Sequence, residues 1–184
     1  MKKPKTIITL TIIISTILIP LTPKLYAYIF TPHINPETLP EPPTPPVANA
    51  LTQALDQLAA QNWNQLAQQA SSIEQIPVAQ GGYLLTEISD LLLELAATFQ
   101  QINMTILIIE LLIEYGALDK AQEELENLQN LISEANETIT ELEEKINQII
   151  QVFNLQPTQL KQKLNQIKNL LNNYIQKREE LQQK

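Results

Sequence analysis

Residues 118–153 read LDKAQEELENLQNLISEANETITELEEKINQIIQVF, and the spacing within them decides the fold. Apolar residues fall at Leu118, Ala121, Leu125, Leu128, Ile132, Ala135, Ile139, Leu142, Ile146, Ile149 and Phe153, in alternating steps of three and four. An α-helix turns once in 3.6 residues, so a 3.5-residue repeat stays on one face only if the helix winds left-handedly around a partner. The stretch therefore predicts a rod about 55 Å long, at 1.5 Å per residue, with a heptad seam through Leu125, Leu128, Ile132, Ile139, Leu142, Ile146 and Ile149.

The seam needs partners, and both neighbouring segments offer them. Upstream, residues 83–115 place Leu85, Ile88, Leu92, Leu95, Phe99, Ile102, Ile106, Ile109 and Ile113 on the same three-and-four spacing. Further apolar residues at Leu84, Leu91, Leu107, Ile108, Leu111 and Leu112 make this stripe too wide for one neighbour, so the helix is expected to touch two. Gly116 supplies the left-handed conformation that ends a helix and lets the chain reverse. Downstream, Asn154–Gln156 form a short connection, and Pro157 suits the first turn of a third helix over residues 157–184. Leu160, Leu164, Ile167, Leu171, Tyr174 and Leu181 continue a seam there, with Arg178 interrupting it, which predicts fraying toward Lys184.

Charge favours antiparallel pairing of the last two rods. Residues 117–153 hold nine acids against Lys120 and Lys145, while residues 157–184 hold six bases against Glu179 and Glu180. Exposed ion pairs contribute only about 0–1 kcal/mol each, so they select orientation, whereas buried Leu and Ile at roughly 1.5–3 kcal/mol each supply the cohesion. Before the rods, residues 47–76 read as a short helical hairpin that turns near Gln61 and Asn62, with breaks at Pro77 and at Gly81-Gly82. The expected fold is thus all-α: an elongated antiparallel coiled-coil bundle of three long helices, with the hairpin at one end.

The first 46 residues have a different character. Met1–Lys5 is basic, Thr6–Ile19 is apolar, and a short polar stretch runs from Pro20 to Ala27, the layout of a secretory signal. The apolar run is short for a bilayer core of about 30 Å, so residues 1–27 are read as a cleaved signal peptide, with an uncleaved anchor as the alternative. Residues 28–46 are a proline-rich spacer. These features place the chain outside the cytoplasm, as a secreted, periplasmic or cell-surface protein. The formal charge is -8, and loss of the four lysines of residues 1–27 leaves about -12. So acidic a surface repels phosphate backbones, which argues against nucleic-acid partners.

Several chemistries are excluded by composition. Glycine occurs only at 81, 82 and 116, too few and wrongly spaced for a phosphate loop, a dinucleotide fingerprint or a nucleophile elbow. The single histidine, His33, lies in the spacer without a nucleophile beside it, and cysteine is absent. Glu137, Glu141 and Glu144 share a helix face, but such a trio on one helix reads as a solvated acidic surface. No catalytic residue, cofactor or metal ligand is therefore assigned. Asn103-Met104-Thr105 and Asn136-Glu137-Thr138 are glycosylation sequons, each asparagine one residue past a seam position and so expected to face outward.

Trp63-x-x-Leu66-Ala67-x-x-Ala70 is similar to the opening of a tetratricopeptide repeat, but the fragment similar to its continuation, Gly116–Ala121, is too far along the chain for that period, and Pro77, Gly81 and Gly82 would interrupt the second helix. Over residues 50–153, the segments NWNQLAQQA, IPVAQGGYLLTEI and YGALDKAQEEL resemble helical regions near the start of uncharacterised secreted proteins of archaea and bacteria. That resemblance implies export and helicity, and no activity. The expected role is a non-catalytic envelope or cell-surface spacer or protein-interaction module, binding a protein partner or itself. The alternative is a membrane-active or client-binding helical protein, either a pore former or a periplasmic holdase.

Overall fold

The computed structural model describes residues 45–76 and 82–184, all of whose regular structure is helical. The expected signal segment (1–27) and nearly all of the proline-rich spacer lie outside the described residues. Five helices follow one another: α1 (Pro45–Ala59), α2 (Trp63–Glu74), α3 (Gly82–Glu114), α4 (Leu118–Val152) and α5 (Pro157–Gln182).

Helix α1 begins inside the stretch assigned to the spacer. Pro45 and Pro46 occupy its first turn, where backbone N–H groups lack intrahelical acceptors and proline gives up nothing by having none. The same logic places Pro157 at the start of α5. Turns fall where the backbone must enter the left-handed region: Gln61 (φ 56°) between α1 and α2, Gly116 (φ 70°) between α3 and α4, and Asn154 (φ 49°) between α4 and α5. At the second turn the N–H groups of Gly116 and Ala117 donate to the carbonyls of Ile113 and Leu112, so the last carbonyls of α3 are satisfied as the chain reverses.

Helices α3 and α4 share the most extensive interface, and polar contacts fix its direction. The Lys145 ammonium meets the Glu87 carboxylate at 2.7 Å, and the Thr138 hydroxyl lies 3.5 Å from Glu94 Oε1. Residue numbers rise on one helix as they fall on the other, so the two run antiparallel. Helix α5 reverses again: Lys168 pairs with Glu143 of α4 at 2.6 Å, and Lys177 reaches Glu110 of α3 at 2.7 Å.

The α1–α2 hairpin does more than cap one end. Helix α2 lies antiparallel along the lower part of α3, tied at one end by the Ser89 hydroxyl donating to Glu74 (3.0 Å) and at the other by the Asn103 amide donating to Gln61 (2.9 Å). Helix α1 lies against α5, with Lys163 and Asp56 paired at 2.6 Å. Val47, Leu51, Ala54, Leu55 and Leu58 of α1 are all completely buried. The hairpin thus completes a five-helix layer whose core is continuous from Val47 to Leu181. Beyond Asn103 on α3 and Asn173 on α5 the hairpin ends, and α3, α4 and α5 continue without it.

One expectation is corrected. The α5 helix continues past Arg178: it runs to Gln182, and Leu181 is 2% exposed. Among its bases, Lys168 pairs with Glu143 of α4, while Lys163 and Lys177 pair with Asp56 of α1 and Glu110 of α3. A helix that lies beside α1, α3 and α4 distributes its charges according to which acid each lysine can reach.

Candidate interaction surface

The seam residues Leu125, Leu128, Ile132, Ile139, Leu142, Ile146 and Ile149 are all buried, none more than 5% exposed. They form the inner face of α4 against α3 and α5 and are not available to an external partner. Leu118, the first residue of the predicted stripe, behaves differently: it is 58% exposed at the α3–α4 corner, because the chain has only just left the turn at Gly116.

The extra apolar width of α3 divides into two. Leu91 is buried, and Leu84, Leu112 and Ile113 pack onto the core. Leu107 is 54% exposed, and Ile108 and Leu111 are half-buried on the same face. On a helix, 104, 107, 108, 111 and 115 follow one another at steps of three and four, so Met104 and Tyr115 extend this face at its two ends. Tyr115 is 63% exposed. The α2-facing positions Ser89 and Asn103 continue upward at Leu107, Glu110 and Glu114, so only the Leu107 edge of the stripe follows the hairpin's track, and the rest lies to one side of it.

A small polar cluster lies beside the Gln61–Asn103 contact. The buried ring of Tyr174 meets Phe99 with centroids 5.5 Å apart at an interplanar angle of 50°, an attractive tilted geometry. Its hydroxyl and the Nε of Arg178, one turn on, are buried without a hydrogen bond of good geometry. Burial pushes the Tyr174 hydroxyl pKa up, and the neighbouring Asn103 amide acts in the opposite direction. Because Asn103 already donates to Gln61, it is half-buried at the hairpin junction, not outward-facing as its sequence position suggested. Asn136 does face outward, on the exposed side of α4.

Elsewhere the surface carries charge in ordinary helical arrangements. Glu137, Glu141 and Glu144 line an open depression with Asn136, Thr140 and Lys145, whose ammonium pairs with Glu87. Hydrogen bonding to Glu87 raises the Lys145 pKa, and bonding to Glu110 does the same for Lys177. Among the described residues no group of three or more His, Asp or Glu side chains is arranged to hold a metal ion. A second open depression lies between the end of α1 and α5, lined by Asp56, Ala59, Lys163 and Asn173.

Sequence reasoning found the apolar breadth of α3 but not where it would emerge, because that depends on how far the hairpin reaches. The Gln61–Asn103 contact, across 42 residues of sequence, leaves no local signature. In comparison with known proteins, no family model, no curated protein and no solved structure matches this chain.

Proposed function

We propose that the chain is a non-catalytic exported coiled-coil protein that acts as an envelope or cell-surface spacer and protein-interaction module. One observation carries this reading: Leu107, Tyr115 and Leu118, three large apolar side chains each more than half exposed, gather at one end of helices about 50 Å long. Large exposed apolar clusters on a folded domain mark sites of association. The three-and-four spacing of α3, α4 and α5 supports a left-handed supercoil among them, with the α1–α2 hairpin laid against its lower part. Export rests on the basic, apolar and polar succession of residues 1–27.

The test is crosslinking in the native cell followed by identification of what is attached. The expected result is one or a few envelope proteins, or the chain itself, linked through the end of the bundle that bears Tyr115. Recovery of cytoplasmic protein alone would end this reading.

A second reading draws on α3. Its most apolar 18-residue window has a mean hydropathy of 1.5, and only a third of that window is buried, so by length and composition the helix could cross a membrane. Glu110 and Glu114 lie at its end. A membrane-active or client-binding protein would release dye from vesicles or hold an unfolded client in solution. Absence of both activities in purified protein removes this alternative.

A further inference from the structure

We infer that the end of α5, residues 175–182, is a latch that swings away from α3 and α4 as a unit about Tyr174, while its own helix stays formed.

Below that point α5 is gripped at every turn. Leu160, Leu164, Ile167, Leu171 and Tyr174 are buried at alternating steps of four and three, and α1 backs the helix as far as Asn173. Beyond Tyr174 the grip loosens. Arg178 holds the next seam position, Ile175 is 36% exposed, and Leu181 is the single apolar side chain of the segment that is buried. Among the described residues the segment makes one ion pair to another helix, Lys177 with Glu110. Both partners are part-exposed, so that pair contributes little.

Two polar atoms oppose the docked state. The Tyr174 hydroxyl and the Arg178 Nε, one turn apart at the base of the segment, are both buried without a well-formed hydrogen bond. Asn103, the amide beside the hydroxyl, is committed to Gln61. Arg178 forms no ion pair among the described residues. Its hydrogen bond to Gln182, at 3.4 Å, lies within the segment and moves with it. With the Tyr174 ring held on Phe99 as the pivot, a swing brings both orphaned atoms to water. What it gives up is the Lys177–Glu110 pair and the packing of Leu181. Leaving a buried polar group unpaired costs about as much as burying one leucine gains, so two such groups set against Leu181 bring the open and closed states close in free energy.

Because the chain has no cysteine, labelling of a single introduced thiol reads the opening directly. Leu181→Cys and Leu164→Cys make the same substitution at positions 2% and 1% exposed in one helix, so a permanently closed bundle protects both alike. In the folded full chain, a thiol reagent is expected to modify the Leu181→Cys protein roughly tenfold or more faster than the Leu164→Cys protein, with equal helicity by circular dichroism. Adding Tyr174→Phe, which removes the orphaned hydroxyl and keeps the ring, should slow labelling of the Leu181→Cys protein by roughly threefold or more, and Arg178→Met should slow it as well. Fraying of the last turn alone would not respond to a hydroxyl two turns back. Equal labelling of the two cysteine variants, or a Leu181→Cys rate that Tyr174→Phe leaves unslowed, overturns the inference.

Discussion

Ile139 and Glu137 stand two residues apart on α4, yet Ile139 is 2% exposed and Glu137 lies in solvent. A charge at the first position enters the core without a partner, so Ile139→Asp should destabilise the fold by about 3 kcal/mol or more, while Glu137→Ala should stay within roughly 0.5 kcal/mol. Chemical denaturation followed by circular dichroism measures both, and equal effects would contradict the face assignment. Asp90 offers a pH-dependent counterpart. Burial, aided by the Glu87 charge, raises its carboxyl above the ordinary 3.8, so the folded protein holds that proton more tightly than the unfolded chain does. The stability from this group is therefore full below the ordinary pKa and declines as pH rises through 3.8 toward the raised value. Asp90→Asn is expected to raise the thermal midpoint slightly at pH 7 and to leave it unchanged below about pH 3, where both residues are neutral. The effect is small because Asp90 is largely exposed. At Tyr174 the buried hydroxyl has no well-formed hydrogen bond, so Tyr174→Phe should be neutral or stabilising by up to about 1 kcal/mol, read in the same denaturation assay.

At the scale of elements, much was legible because each long helix announces its own limits. The stripe from Leu125 to Ile149, the glycine at 116 and the proline at 157 depend only on local geometry, and α3, α4 and α5 begin and end within a residue or two of the places those signals mark. Gly116 adopts a φ of 70°, and a Cβ there would meet nothing within 4 Å. Substitution therefore acts through backbone conformation alone: Gly116→Ala should cost about 1 kcal/mol. Gly82, at the helical start of α3 and equally free of neighbours, should accept alanine without loss. Thermal melts of the two variants separate the roles. What remained illegible was relational. The hairpin of residues 47–76 was readable as two helices, but its lying along α3 and α5, instead of capping an end, depends on shape matching between segments far apart in sequence. The inward placement of Asn103 and the exposure of Leu118 follow from that docking, so the spacing of the residues around them carried neither.

Across the whole molecule, cohesion is uneven. Below Asn103 five helices bury a shared core, and above it three do. Backbone hydrogen bonds in residues 104–114 are backed by fewer apolar contacts than those in residues 88–102. In dilute protein, native-state hydrogen exchange should therefore be about tenfold faster in the upper part of α3 than in the lower. Uniform protection along α3 would mean that the hairpin contributes nothing to local stability.

The step at the Gln61–Asn103 contact also has a mechanical meaning. A beam stiffens steeply as its cross-section widens, so a sideways force on the Gly116 corner bends the slimmer portion while the broad base stays straight. Strain then concentrates at a single level along the shaft. A molecule spanning a gap between two bodies would yield there first and recoil when released.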